Sequence, residues 1–204
     1  MLDMPRAPYG DLHLVCRPDR ADRHLVFPYE VTNAGPVPLL VMDAWPRTAE
    51  GSRSADPDLA QVLLRDDGIA VVGKFVPAVP PGMRIAAPLL PLCTVLRPTE
   101  TLMRELRIPL PLAEQSPYLP ELRLSSYRPR ELRGVLFAIG WWPLAQPELV
   151  AGPAAFAPGL QVVAPIGALP PAGTAIQRFP TTKLEILRRS DAFPREVPAH
   201  PDLA

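Results

Sequence analysis

The chain has 204 residues, of which 48% are hydrophobic, so it can bury a sizeable core and is not globally disordered. Its 21 basic residues equal its 21 acidic residues, which excludes a strong general attraction to nucleic acid or to an anionic membrane. The 30 prolines are spread too evenly for long helices and favour strands joined by stiff loops.

Several strands are predicted in the first quarter of the chain. Residues 11–17 predict a strand with Leu12, Leu14 and Cys16 on one face. The next apolar side chains recur at every second position, which indicates a strand with one buried face. Asn33, Gly35 and Pro36 interrupt this run, and a second apolar run ends at Trp45, so residues 24–45 predict a β-hairpin. The alternating side chains are Leu25, Phe27, Tyr29 and Val31. Pro28 places their strand at a sheet edge or at a bulge.

The rest of the chain predicts more short strands separated by turns. Residues 48–57 are polar and predict a loop. Residues 61–75 predict a hairpin that turns at Asp66, Asp67 and Gly68, and a short helix is the alternative. A last hairpin is expected between 160–164 and 183–187. Further strands are predicted at 89–96, 102–110, 121–125 and 134–142, with turns at 79–82 and 97–100.

These signals predict an all-β protein, an antiparallel β-sandwich with proline-rich loops and an extra C-terminal hairpin. We expect one domain over residues 11–190 with its core strands in 11–142. Residues 1–10 would be an N-terminal extension and 191–204 a flexible tail. The chain resembles immunoglobulin-like and fibronectin-type-III-like bacterial β-sandwich modules over its first two-thirds. The resemblance is carried by YEVTNAG before PLLV, LRPTE before LRIPL, and VLFAIGWW, and it lacks the cysteine pair of antibody domains.

No catalytic constellation is evident in the sequence. Serine lacks a GxSxG context, and the three histidines do not have metal-ligand spacing, so we expect no enzyme activity, no cofactor and no metal. Asp43 falls in the apolar run LLVMDAW. If it is buried it needs a partner, which Arg104, itself expected at a bulge, could supply; an exposed position at the strand end is the alternative.

Two adjacent tryptophans give the one candidate contact surface. Side chains alternate along a strand, so Trp141 would join the core with Phe137 and Ile139 while Trp142 would face outward. Trp142, Pro143 and Tyr118 are therefore candidate protein-interaction residues, unless residues 143–159 cover Trp142.

The expected function is binding of another protein or of a second copy, as an adaptor, accessory subunit or inhibitor. A carbohydrate-binding or hydrolytic sandwich, with Trp142 stacked on a sugar, is the alternative. The amino terminus lacks a signal-peptide pattern and no run is long enough to span a bilayer, so we expect a cytoplasmic location. Cys16 and Cys93 lie in apolar runs and would be buried free thiols, or a disulfide if the chain is exported.

Overall fold

The computed structural model describes residues 12–76, 89–116, 126–180 and 184–190. These residues form an all-β protein, and none of them belongs to a helix long and apolar enough to cross a membrane. The predictions for residues 1–10, 79–82, 121–125 and 191–204 and for Tyr118 lie outside the described residues. The strands are β1 (Leu12–Cys16), β2 (Asp19–Ala21), β3 (His24–Asn33), β4 (Leu39–Ala49), β5 (Ser52–Asp56), β6 (Gln61–Leu64), β7 (Ile69–Lys74), β8 (Leu92–Leu96), β9 (Thr101–Pro109), β10 (Leu112–Ala113), β11 (Tyr127–Glu131), β12 (Gly134–Pro143), β13 (Leu149–Pro153), β14 (Gln161–Pro165), β15 (Gly173–Pro180) and β16 (Glu185–Arg189).

The first sheet is built around β3, whose alternating pattern predicted its buried face. Phe27, Tyr29 and Val31 are buried, as expected. Strand β9 pairs antiparallel along one edge of β3, while β2 and then β1 pair along the other edge. Pro28 is therefore not at a sheet edge. It lies opposite the gap between β1 and β2, and its carbonyl accepts a hydrogen bond from Arg17 N. Because no strand pairs with β3 at this gap, the N–H that proline lacks is not needed for a hydrogen bond between strands.

The predicted hairpin between β3 and β4 is wrong, although both strands exist. Strand β3 belongs to the first sheet, whereas β4 pairs with β5, β8 and β12 in another. The connection is held by buried Asn33, whose amide nitrogen donates to the carbonyls of Val37 and Leu96 while its oxygen accepts from Gly35 N. The turn residues thus connect two strands of different sheets rather than the two strands of a hairpin.

Among the described residues the largest sheet has nine strands, in the order β13-β14-β8-β4-β12-β7-β6 with β15 and β5 attached to β12 and β4. Strand β12 pairs with β15 along one edge, and with β7 and then β4 along the other. The β7–β12 pair is parallel, as is the short β10–β16 pair. The expectation of a purely antiparallel arrangement is therefore wrong, because β7 and β12 are joined by a long crossover rather than a hairpin.

Two local hairpins show where turn chemistry is informative. The predicted hairpin at residues 61–75 is confirmed, with β6 and β7 paired antiparallel across Gly68, which has φ +82°. The loop predicted at residues 48–57 is instead the β4–β5 hairpin. Its turn is formed by Glu50 and Gly51, both with positive φ, which is the geometry of tight hairpin turns.

The predicted C-terminal hairpin is also wrong. Strand β14 pairs with β13 and β8, whereas β16 lies between β10 and β11 in a separate three-stranded sheet. Residues 143–159 contain β13, and three strands beyond residue 142 are hydrogen-bonded into the nine-stranded sheet. Hydrophobic pattern gave the strand positions here, but pairing partners are chosen by long-range packing.

The main core lies between the four-stranded and nine-stranded sheets. Phe27 of β3 and Phe137 of β12 stack across it with ring centroids 5.0 Å apart and planes 12° from parallel. Fully burying a side chain of this size stabilises the fold by roughly 1.5–3 kcal/mol. Trp141 and Ile139 join the same core, which confirms the inward assignment of Trp141.

Candidate functional site

A carboxylate and two basic side chains meet between the two large sheets. The β4–β8 register shifts between Met42 and Ala44, which identifies a β-bulge at Asp43. Asp43 is 3% exposed, and its Oδ2 accepts a hydrogen bond from the Thr94 hydroxyl at 2.6 Å. Arg104 on β9 donates to the same carboxylate from Nε at 3.0 Å and from Nη2 at 2.9 Å. Of the two alternatives that the sequence left open for Asp43, the structure shows the buried one, with Arg104 as the partner.

The bulge lies on Asp43 rather than on Arg104. Strand β9 keeps an unbroken register with β3 through Arg104, which pairs with Tyr29. The guanidinium therefore reaches the carboxylate without any irregularity in its own strand. The expected bulge at Arg104 is wrong, because the bulge on β4 brings the carboxylate to a regular strand.

Lys74, at the end of β7, is the second basic group, and sequence reasoning missed it. Its side chain is fully buried, and its Nζ donates to the Asp43 carbonyl and, at 3.3 Å, to the Tyr29 hydroxyl. The Nζ also lies 4.0 Å from Asp43 Oδ1. A signal was present: Lys74 continues the inward-facing series of Ala70 and Val72.

Burial changes the acid–base behaviour of this cluster, which we call the inter-sheet charge cluster (Tyr29, Asp43, Lys74, Thr94 and Arg104). Burial lowers the pKa of Lys74 to about 8, although the nearby Asp43 carboxylate opposes the change. Burial also raises the pKa of Tyr29 above its ordinary value, with the Asp43 charge acting in the same direction. The amine of Lys74 is enclosed, so the arrangement fixes one sheet to the other rather than presenting a nucleophile to a substrate.

Of the predicted contact residues, Trp142 and Pro143 do not form an exposed surface. Trp142 is fully buried and packs with Leu149 and Val163, and its Nε1 donates to the carbonyl of Pro170 at 3.3 Å. Trp142 thus lies on the face of β12 opposite Trp141, as expected, but that face is covered by β13, β14 and the chain before β15. Because β13 falls within residues 143–159, the alternative that this segment covers Trp142 is the one observed. The sugar-stacking alternative loses its aromatic platform for the same reason. Pro143 is half-buried at the end of β12.

An exposed apolar surface occurs instead on the β13–β14 hairpin. Val150 pairs opposite Ala164, and Gly152 opposite Val162, so these residues share one face. Val150 is 55% exposed and Ile166, just beyond β14, is 61% exposed. The other face carries Leu149 and Val163, which pack on Trp142. We call Val150, Val162, Ala164 and Ile166 the hairpin face.

The two cysteines are buried free thiols, as expected. Cys16 belongs to the core between the sheets, whereas Cys93 packs in the separate cluster that contains Trp142. Burial raises the pKa of the Cys16 thiol to about 12, although a hydrogen bond with the backbone of Arg17 lowers it in part. Burial also raises the pKa of the Cys93 thiol. Within the described part of the chain, no group of three or more His, Cys, Asp or Glu residues could hold a metal ion.

No protein-family model matches this chain, and no solved structure matches it at a significant level.

Proposed function

We propose that this chain is a non-enzymatic protein-binding domain, in the class of adaptors, accessory subunits and inhibitors, with an immunoglobulin-like sandwich arrangement of its two large sheets. The hairpin face is its contact surface. The observation that carries the proposal is the exposure of Val150, Val162 and Ile166 together on one side of a two-stranded ribbon. Contiguous exposed aliphatic side chains are typical of interaction sites.

The partner is recognised through side chains rather than through an added strand. Ile166 N donates to Glu148 O, and Ala154 N donates to Leu160 O. The backbone N–H and C=O groups of the even-numbered residues of β13 therefore point toward β14. The backbone N–H and C=O groups of the odd-numbered residues therefore point to the open edge of the sheet. Pro153 has no N–H, and Leu149 N already donates to Gln146 O, so a pairing strand would find few donors.

A second copy of this chain is the partner that fits this surface. The four side chains of the hairpin face are all uncharged, and the exposed Glu148 flanks them opposite Ile166. The whole chain also has a formal net charge of +0, and a protein near zero net charge associates more readily with its own copies. Three partly exposed aliphatic side chains cover less than the roughly 800 Å² per partner of a stable interface, so we expect a dimer in fast exchange.

Sedimentation velocity over a range of concentrations tests this proposal. The unmodified chain should sediment as a reversible monomer–dimer system, and the double variant Val150→Asp/Ile166→Asp should remain monomeric with an unchanged circular-dichroism spectrum. Met103→Asp is the matched control, because Met103 is 71% exposed on β9 in the other large sheet and its change should leave the dimer intact. A chain that is monomeric at every concentration, or a double variant that still dimerises, would overturn the proposal.

A further inference from the structure

A cavity of about 660 Å³ lies between the four-stranded and three-stranded sheets, away from the hairpin face. One wall is formed by Arg20 on β2 and Arg23 in the β2–β3 turn, and the other is formed where β11 and β16 meet, with Glu131 and Glu185. Its volume falls within the range of small-molecule sites. The cavity therefore has basic groups on one side and acidic groups on the other.

Hydrogen bonds hold both walls in place. On the basic side, Leu110 N donates to the carbonyl of Arg23 at 2.6 Å, which ties the turn to the chain after β9. On the acidic side, Leu132 N donates to the carbonyl of Leu184 at 2.9 Å, which ties the end of β11 to the start of β16. Leu110 and Leu184 also line the cavity, so an apolar surface lies between the two charged walls.

The two glutamates are in an unfavourable arrangement unless a cation joins them. Glu131 and Glu185 lie directly opposite each other in the antiparallel β11–β16 pair, and like charges in that position destabilise a sheet. Within the described residues no basic side chain forms an ion pair with either of them, and neither Arg20 nor Arg23 pairs with an acid. Asp22 on the basic wall is likewise outside any such pair and leaves that wall with net positive charge.

We propose that this cavity binds a small zwitterion, an α-amino acid or a dipeptide with free ends. The carboxylate of the ligand would contact the guanidinium groups of Arg20 and Arg23, which can bind a carboxylate through two parallel hydrogen bonds. Its ammonium group would lie between Glu131 and Glu185 and offset their repulsion. An aliphatic side chain of the ligand would pack on Leu110 and Leu184.

Isothermal titration calorimetry with the dipeptide Ala-Leu tests this site on the full chain. The free dipeptide should bind, and acetylating its amine or amidating its carboxyl group should weaken binding by about tenfold or more, because each change removes a charge-assisted contact. Arg23→Gln and Glu185→Gln should each weaken binding to a similar extent. Both side chains are exposed, so these variants should retain the melting temperature of the unmodified chain.

Arg17→Gln and Glu30→Gln are the matched controls, because both residues are exposed in the same sheet region and neither lines the cavity. Their affinity for Ala-Leu should equal that of the unmodified chain. Absence of binding by Ala-Leu, equal binding of the doubly blocked dipeptide, or equal losses in the control variants would each overturn the proposal. Dimerisation through the hairpin face is measured separately and does not depend on this outcome.

Discussion

The guanidinium of Arg104 on β9 lies 2.9 Å from the carboxylate of Asp43 on β4, and this ion pair joins two different sheets. The ammonium of Lys74 lies 4.0 Å from the same carboxylate. One acidic side chain therefore serves two basic ones. The Lys74 side chain has no exposed surface, whereas that of Arg104 is 39% exposed. Loss of Asp43 thus affects the two cations unequally, since only Arg104 can turn to solvent.

Asp43→Asn should destabilise the protein by about 3 kcal/mol or more, because removing one partner of a buried ion pair leaves an uncompensated charge. The amide is nearly isosteric with the carboxylate, so the loss reports charge rather than a cavity. Urea unfolding followed by tryptophan fluorescence measures it. Glu30→Gln, an exposed neutralisation on the neighbouring strand β3, should change stability by less than about 0.5 kcal/mol. Equal stability of the two variants would contradict the prediction.

The free energy of unfolding should depend on the ionisation of Lys74. Burial lowers its folded-state pKa to about 8 from an ordinary value of 10.5, so between these pH values the unfolded chain binds more protons at this group than the folded protein does. Stability from Lys74 therefore rises with pH across this window and is constant below it. The full difference corresponds to about 3 kcal/mol.

Comparison with Lys74→Met isolates this effect. Cys16, Cys93 and Tyr29 have pKa values raised by burial, so each contributes a loss of stability at alkaline pH in both proteins. The difference in unfolding free energy, unmodified chain minus variant, should increase between pH 7 and pH 10. Urea titrations at a series of pH values measure it, and a difference that stays flat would show that Lys74 does not titrate in this window.

Gly73→Ala should destabilise the protein by at least about 3 kcal/mol. Gly73 has φ +151°, and a Cβ built there would lie 1.9 Å from the carbonyl oxygen of Ala138 on β12. Relieving this contact requires the two backbones to move apart, which would break the parallel β7–β12 pair. Gly152→Ala on β13 is the control, because nothing lies within 4 Å of its Cβ position. Its melting temperature should match the unmodified chain, and a similar loss in both variants would argue against the clash.

Both thiols should resist alkylation while the protein is folded. Cys16 is 2% exposed and Cys93 is fully buried, and burial raises both pKa values, so little thiolate is present at pH 8. Mass spectrometry after iodoacetamide treatment should find no adduct in native buffer and two adducts after unfolding in about 8 M urea. Rapid labelling of either thiol in native buffer would contradict its placement in the core.

Sequence pattern predicted strands better than it predicted their partners. The alternation at Phe27, Tyr29 and Val31 follows from one local requirement, a buried face, and it appears in the structure. Pairing of β3 with β9 joins residues about seventy or more positions apart, such as Val31 and Leu102, and no local signal encodes that choice. The turn at Gly68 was predictable because a two-strand hairpin is itself local.

The candidate sites show the same division. Asp43 was identified because a carboxylate in an apolar run requires a partner, and Arg104 was the basic residue that broke its own strand's pattern. Lys74 was missed because it follows Gly73 at the end of a strand, where a long side chain usually reaches solvent. Exposure of the hairpin face and burial of Trp142 both depend on the packing of β13 and β14 over β12. That packing is a long-range contact and could not be predicted from local sequence pattern.

Strand β12 lies between β15 on one side and β7 and β4 on the other. A nascent chain emerging from the ribosome therefore holds β4 and β7 with unsatisfied edges until residues 134–143 have been translated. Partners this distant in the chain delay folding, and their apolar strands are exposed to aggregation meanwhile. The apolar strands of its amino-terminal two-thirds therefore stay without this partner until a late segment joins β7 to β4.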